Sequence, residues 1–139
     1  MAILVDDISI NTMIGAGSMI TGNVKIDGFV RIDGSIDGNI ETEGKIIIGD
    51  KAKIRGDILS SSVIVGGIVN GDIVAPEFVQ IFSSAVILGD VISKKVKIEQ
   101  GAIVEGYCVS VSDEEEFIAA KEKWQDKRSV TEKTFFGKN

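Results

Sequence analysis

Asp37, Asp57, Asp72 and Asp90 each stand beside a glycine, and a column of such carboxylates has the makings of a general acid–base pair or a calcium site. Their context favours a simpler role. Glycine-adjacent acids are ordinary turn formers, because a short polar side chain hydrogen-bonds to nearby backbone. The Gly-Gly-x-Gly-x-Asp nonapeptide of calcium-binding β-rolls does not occur here. The 139 residues include no His, which removes Ser-His and Cys-His dyads, imidazole proton relays and His-ligated metals. One cysteine, Cys108, cannot make an internal disulfide or a Cys-rich zinc site, and it points to a reducing compartment. Lys94, Lys95 and Lys97 form a basic cluster that an anionic polymer or a membrane surface would attract. Yet 21 acidic residues oppose 15 basic ones, for a net charge of −6, which argues against phosphate-backbone binding. The cluster therefore reads as a solvated corner. The expectation is a protein without catalytic residues, cofactor, metal or nucleic-acid partner.

What must position these residues is a repeat. The pattern aliphatic-x-Gly-x-aliphatic recurs six times, at Ile20–Val24, Ile36–Ile40, Ile54–Ile58, Val69–Ile73, Ile87–Val91 and Val104–Cys108, with glycines 16, 18, 15, 18 and 17 residues apart. A second aliphatic mark precedes each copy, at Ile14, Ile32, Ile48, Val65, Ile81 and Ile98. A fixed period of this kind is the signature of a solenoid. Apolar and polar residues alternate over three to five positions, as in Val24-Lys-Ile26 and Val79-Gln-Ile81, and β-branched residues dominate, so the units are short strands rather than helices. A coil of this length holds three strands and three tight corners, which predicts an all-β parallel solenoid of triangular section over residues 12–111. At about 4.8 Å per coil, six coils make a rod roughly 29 Å long. Ile and Val stack inward down its axis, and Cys108, in a slot filled elsewhere by Val or Ile, reads as a buried, inert thiol.

The two tails differ from the coils. Residues 1–11 carry a single apolar patch, Ile3-Leu4-Val5, stopped by Asp6-Asp7. It lacks the flanks of a signal peptide and is feeble as a membrane foot, so a mostly disordered lead-in or an extra edge strand on the first coil, weak or no direct membrane contact and a cytoplasmic location are expected. After Val111 the period changes. Ser112 precedes Asp113-Glu114-Glu115-Glu116, with Glu115 at the capping-box position, and Phe117, Ala120 and Trp124 follow at helical spacing. This predicts a helix within 112–128 that packs Phe117 and Trp124 on the side or the end of the last coil, limiting access to that end. Residues 129–139 are expected to be disordered.

The opening Thr12-x-Ile14-Gly15-x-Gly17, the repeated Ile-x-Gly-Asp-Ile elements and the closing Gly101-Ala102-x-x-Glu105-Gly106-x-Cys108 resemble the bactofilins, bacterial cytoskeletal proteins. The resemblance implies a right-handed parallel β-helix that assembles into filaments without nucleotide. It also implies roles in cell shape and cell-wall synthesis, with partners among cell-wall enzymes or membrane-associated proteins at the inner face of the cytoplasmic membrane. It further implies that Val104 stands where the family usually has a Phe associated with end-to-end contact.

A solenoid ends in unpaired backbone donors and acceptors, and the apolar residues of the end coils are the expected polymer contacts. These are Ile14, Met19, Ile20 and Val24 at one end and Ile103, Val104, Tyr107 and Val109 at the other. Hexapeptide-repeat acyltransferases need a strict six-residue period and a catalytic His, and β-helical polysaccharide lyases need longer coils. Neither fits. The competing reading is a non-polymerising β-helix that docks a partner protein on one flank, as the C-terminal domain of the Min-system division inhibitor does.

Overall fold

The computed structural model describes residues 10–136, with side chains described through residue 126. The chain winds as a parallel β-solenoid of six coils. The first coil holds β1 (Thr12–Ile14), β2 (Met19–Thr21) and β3 (Val24–Ile26), and the second β4 (Val30–Ile32), β5 (Ser35–Asp37) and β6 (Ile40–Thr42). The third has β7 (Lys45–Ile48), β8 (Lys53–Arg55) and β9 (Ile58–Leu59), and the fourth β10 (Ser62–Val65), β11 (Ile68–Asn70) and β12 (Ile73–Ala75). The fifth has β13 (Phe78–Ile81), β14 (Val86–Leu88) and β15 (Val91–Ser93), and the sixth β16 (Val96–Ile98), β17 (Ile103–Glu105) and β18 (Cys108–Ser110). Each strand pairs with its counterparts one coil away, giving three six-stranded parallel sheets: the first begins at β1, the second at β2 and the third at β3.

Register turns the repeat into columns. Ile14, Ile32, Ile48, Val65, Ile81 and Ile98 are successive partners in the first sheet. Ile20, Ile36, Ile54, Val69, Ile87 and Val104 run down the second. Val24, Ile40, Ile58, Ile73, Val91 and Cys108 run down the third. These columns meet on the axis as one aliphatic core. In the middle coils its rungs are sealed, with Ile32, Ile58, Val69 and Ile81 each 0% exposed.

The glycine of each repeat fixes the corner between second and third sheets. At Gly56 and Gly71 φ is +152° and +157°, and a Cβ there would collide with the carbonyl oxygen of the glycine one coil earlier. Only glycine allows the coils to approach this closely. The residue after that glycine builds a second ladder. Asn39 N–H donates to Asn23 Oδ1 at 3.0 Å, Asp57 N–H to Asn39 Oδ1 at 2.8 Å, Asp72 N–H to Asp57 Oδ1 at 2.8 Å and Asp90 N–H to Asp72 Oδ1 at 2.8 Å. Asp57, Asp72 and Asp90 thus satisfy corner amides. Asp37, which precedes its glycine, lies in β5 outside this ladder and faces Arg55 at 3.5 Å.

A helix, α1 (Glu114–Phe136), follows the last coil. Its cap is Asp113, whose Oδ2 accepts from Glu116 N–H at 3.2 Å, one residue later than the expected Ser112. It also runs past the expected end at residue 128, because 129–136 contain neither Gly nor Pro and the next breaker is Gly137. The expected disorder of 129–139 is therefore corrected through Phe136, and residues 137–139 lie outside the described residues. At the other terminus, Asn11 belongs with the coils rather than with a loose lead-in. Asn11 N–H donates to Phe29 O at 2.9 Å, and Asn11 Oδ1 accepts from Phe29 N–H at 3.0 Å. The remainder of that expectation, residues 1–9, lies outside the described residues.

α1 lies along the outer face of the third sheet, not over the end of the last coil. Phe117 and Trp124 are 4% and 7% exposed and pack with Val74, Ile92, Leu59, Val109, Val111 and Ala120. The seat is a column of outward aliphatics, Leu59, Val74, Ile92 and Val109, each directly after an inward rung in β9, β12, β15 and β18. Trp124 Nε1–H donates to Asp72 Oδ2 at 2.7 Å. Lys94 pairs with Glu114 and stands 5.9 Å from the Phe117 ring centre, so one member of the basic cluster fastens the helix. Trp124→Ala should free the second half of α1 from its seat. Removing a buried Trp costs about 3 kcal/mol or more, and tryptic cleavage after Lys121 and Lys123 should rise about a hundredfold with the melting of the coils little changed. Cleavage at the parental rate would mean that Trp124 does not hold the helix down.

Candidate polymerisation surfaces

The end coils carry the last rungs of these three columns, and they are uncovered chiefly at the sixth coil. At the sixth coil these are Ile98, Val104 and Cys108. Ile98 is 48% exposed, whereas Ile81, the same rung one coil earlier, is 0% exposed. Val104 is half-buried and Cys108 exposed, against fully buried Ile87 and Val91. The difference has one cause: the column continues in side-chain type but no further coil lies on it. At the first coil Ile14 is 7% exposed, and Ile20, Val24 and Ile26 are half-buried against the core.

The backbone tells the same story. Parallel pairing leaves each end coil with one side of β1, β2 and β3, or of β16, β17 and β18, without a strand neighbour among the described residues. Such edges accept a further strand and satisfy their donors and acceptors by doing so. The sixth coil thus ends in an apolar triangle framed by strand edges that have no neighbour among the described residues. Among the described residues there is no cluster of three or more His, Cys, Asp or Glu that could hold a metal, and no helix long and apolar enough to cross a membrane.

Of the eight residues expected at the ends, five sit on the end coils facing inward or at a corner. Ile14, Ile20, Val24 and Val104 are column rungs, and Tyr107 is 74% exposed at the corner after Gly106, its N–H donating to Asp90 Oδ1 at 2.9 Å. Three point elsewhere. Met19 and Ile103, 69% and 53% exposed, flank the inward rungs Ile20 and Val104 and project from the outer face of the second sheet. Val109 lies beneath α1. Neighbouring residues in a strand point to opposite sides, so Met19-Ile20, Ile103-Val104 and Cys108-Val109 can each offer only one member to the axis.

Ile98 and Cys108 are the end rungs that sequence reading overlooked. Cys108 does occupy the inward slot, but it is exposed, which corrects the buried thiol expected from its column. Its partial burial still desolvates the thiolate and pushes the thiol pKa up. A raised pKa lowers the thiolate fraction at neutral pH.

These features agree with the comparisons. A family model described as Bactofilin, polymer-forming cytoskeletal, matches residues 12–109. Bactofilin BacO of Myxococcus xanthus (strain DK1622) is 28% identical over 96 residues, which make up 69% of this chain and 76% of that protein. The Thermus thermophilus bactofilin, reconstructed by cryo-EM as double helical filaments, superposes with a TM-score of 0.68 at 27% identity. That match covers 71% of this chain and 98% of the other.

Proposed function

The chain belongs to the bactofilin family of polymer-forming cytoskeletal proteins, and from that premise we propose that it joins end to end, without nucleotide, into a filament that serves as a scaffold for cell shape and cell-wall organisation. The observation that carries the end-to-end reading is the exposure of Ile98, Val104 and Cys108 as the unfinished rungs of otherwise sealed columns. Docking a second coil on them buries aliphatic surface at about 25 cal/mol per Å² and pairs the edge amides and carbonyls in the same step. The coil-to-coil contact inside the subunit offers a template for such a junction. With a strand edge at each end among the described residues, each subunit has two junctions, and repetition makes a polymer with no bound ligand to drive it. The protein acts as a structural element in the cytoplasm, and it positions cell-wall enzymes or membrane-associated proteins along its flanks.

Purified full-length protein, without nucleotide, should show filaments by negative-stain electron microscopy, and Cys108 should report the junction. A maleimide should label Cys108 in protein kept below its assembly concentration and leave it largely unlabelled in filaments. Compact dimers in the micrographs would favour the flank-docking module instead. Full labelling within filaments would move the junction away from the sixth coil.

A further inference from the structure

The family match ends at residue 109, before α1 begins at Glu114, so a surface built on the helix lies beyond it. α1 does not fill the flank it covers. Between the helix and the corner that joins the third sheet to the first runs a groove of about 460 Å³. Leu59, Val74 and Pro76 line its floor, Lys121 and Gln125 stand on the helix wall, and Glu41 and Glu43 stand on the coil wall. A second hollow shares Glu41 and Glu43 and carries the groove on to Asp27 of the first coil. The hydroxyls along it are already engaged. Ser60 and Ser61 both donate to Gly44 O, at 2.5 and 2.7 Å, and Thr42 donates to Gly28 O at 2.8 Å. Among the described residues no buried side-chain nitrogen or oxygen lacks a partner. What the groove offers an occupant is therefore apolar surface and charge. Lys25 offsets Glu41 at 3.9 Å, but Asp27, Glu43 and the next exposed acid on this corner, Glu77, form no ion pair among the described residues, and Lys121 across the groove pairs with none of them.

We propose that this groove takes an extended segment of a membrane-anchored partner protein, one that carries Lys or Arg beside an aliphatic or aromatic side chain. Two features select that occupant. The first is charge. The coil wall is an edge of unpaired acids, and the cytoplasmic stretches next to membrane spans are rich in Lys and Arg. The same acids repel an anionic bilayer, so the ligand is the basic segment and not the lipid. The second is size. From the fourth coil to the first the groove runs roughly 14 Å, at ~4.8 Å per coil. An α-helix of that length, at least 10 Å across, fills roughly 1,100 Å³. That is more than the two hollows, about 460 and 310 Å³, hold together. An extended chain covers the distance with four or five residues at ~3.3 Å each and turns alternate side chains to the acidic wall and to the apolar floor. The inference rests on the reading above that the chain positions membrane-associated proteins along its flanks, and its test separates the two.

The probe is a fluorescein-labelled hexapeptide, Lys-Leu-Arg-Lys-Phe-Arg, titrated with the full-length protein and followed by fluorescence anisotropy. Asp27→Lys and Glu43→Lys alter exposed side chains, so each should keep the β circular-dichroism spectrum and the filaments while weakening peptide binding about tenfold. Asp50→Lys, which alters an exposed acid on a different corner, should bind as the parent does. Trp124→Ala, which frees the helix wall, should lose the peptide while the coils stay folded. An equal loss in Asp50→Lys protein, or undiminished binding to Trp124→Ala protein, would reveal general attraction to an acidic rod and overturn the groove. Parent filaments that ignore the peptide would also overturn it and leave the scaffold standing. Peptide bound in the groove by a parent that never forms filaments would uphold the site and sink the end-to-end reading.

Discussion

Folded Val104→Arg protein is expected to stay as short species where the parent makes long filaments. Val104 is the second-sheet rung of the sixth coil, half-buried among Ile87 below it and the end face above. An arginine at that position has water to point into while the end is free, so folding should survive, with an unchanged β spectrum. A coil docking on the end takes that water away. A desolvated, unpartnered charge costs about 3 kcal/mol or more, and at 1.4 kcal/mol per tenfold the junction weakens about a hundredfold. Sedimentation and negative-stain microscopy at the parental assembly concentration would read the loss directly. Filaments of normal length from folded Val104→Arg protein would move the junction off this face and lend weight to a module that docks partners on its flank.

The second large effect falls within the fold. Ile54 is 2% exposed and stands between Ile36 and Val69 in the second-sheet column. Ile54→Asp places a carboxylate in an aliphatic stack with no donor to meet it, which costs about 4 kcal/mol or more in lost packing and desolvation. Against a total stability of about 5 to 15 kcal/mol, that should lower the melting temperature by roughly 15 °C or more, or leave the chain unfolded. Melting followed by circular dichroism decides the matter. A variant that melts with the parent would show that Ile54 does not face the axis.

The repeat made the architecture readable because the same constraint is applied six times. An aliphatic at the rung and a glycine at the close corner are each required wherever one coil stacks on another, so the 17-residue period carries the topology with it. Features that occur once, or that depend on what lies beyond a coil, were not readable in the same way. Cys108 has the sequence position of a buried rung, and nothing in its own strand says that the column stops there. The seat of the helix had a signal that went unread. β3 and β6 follow their rungs with Lys25 and Glu41, whereas β9, β12, β15 and β18 follow theirs with Leu59, Val74, Ile92 and Val109. Two adjacent aliphatics in a strand put one apolar side chain on the outer face, and the column that four such doublets in succession build on the third sheet is the one the helix covers. The same rule separates Met19 and Ile103, which face sideways, from Ile20 and Val104, which face the axis.

The strict coil-to-neighbour register has a thermodynamic consequence. Because every strand of the solenoid pairs only with the coil before it and the coil after it, its stability is close to that of a one-dimensional chain: a sum of coil terms and nearest-neighbour coupling terms. An inner coil has two couplings and a terminal coil has one, so opening begins at the ends, on the very rungs that are left uncovered. Joining two subunits supplies each terminal coil with the coupling it lacks. Assembly and folding are then linked equilibria, and a subunit inside a filament resists unfolding more than the same subunit in solution, by an amount that grows with protein concentration. A filament joined end to end would in this sense be a longer solenoid, interrupted once per subunit by a coupling that is not covalent.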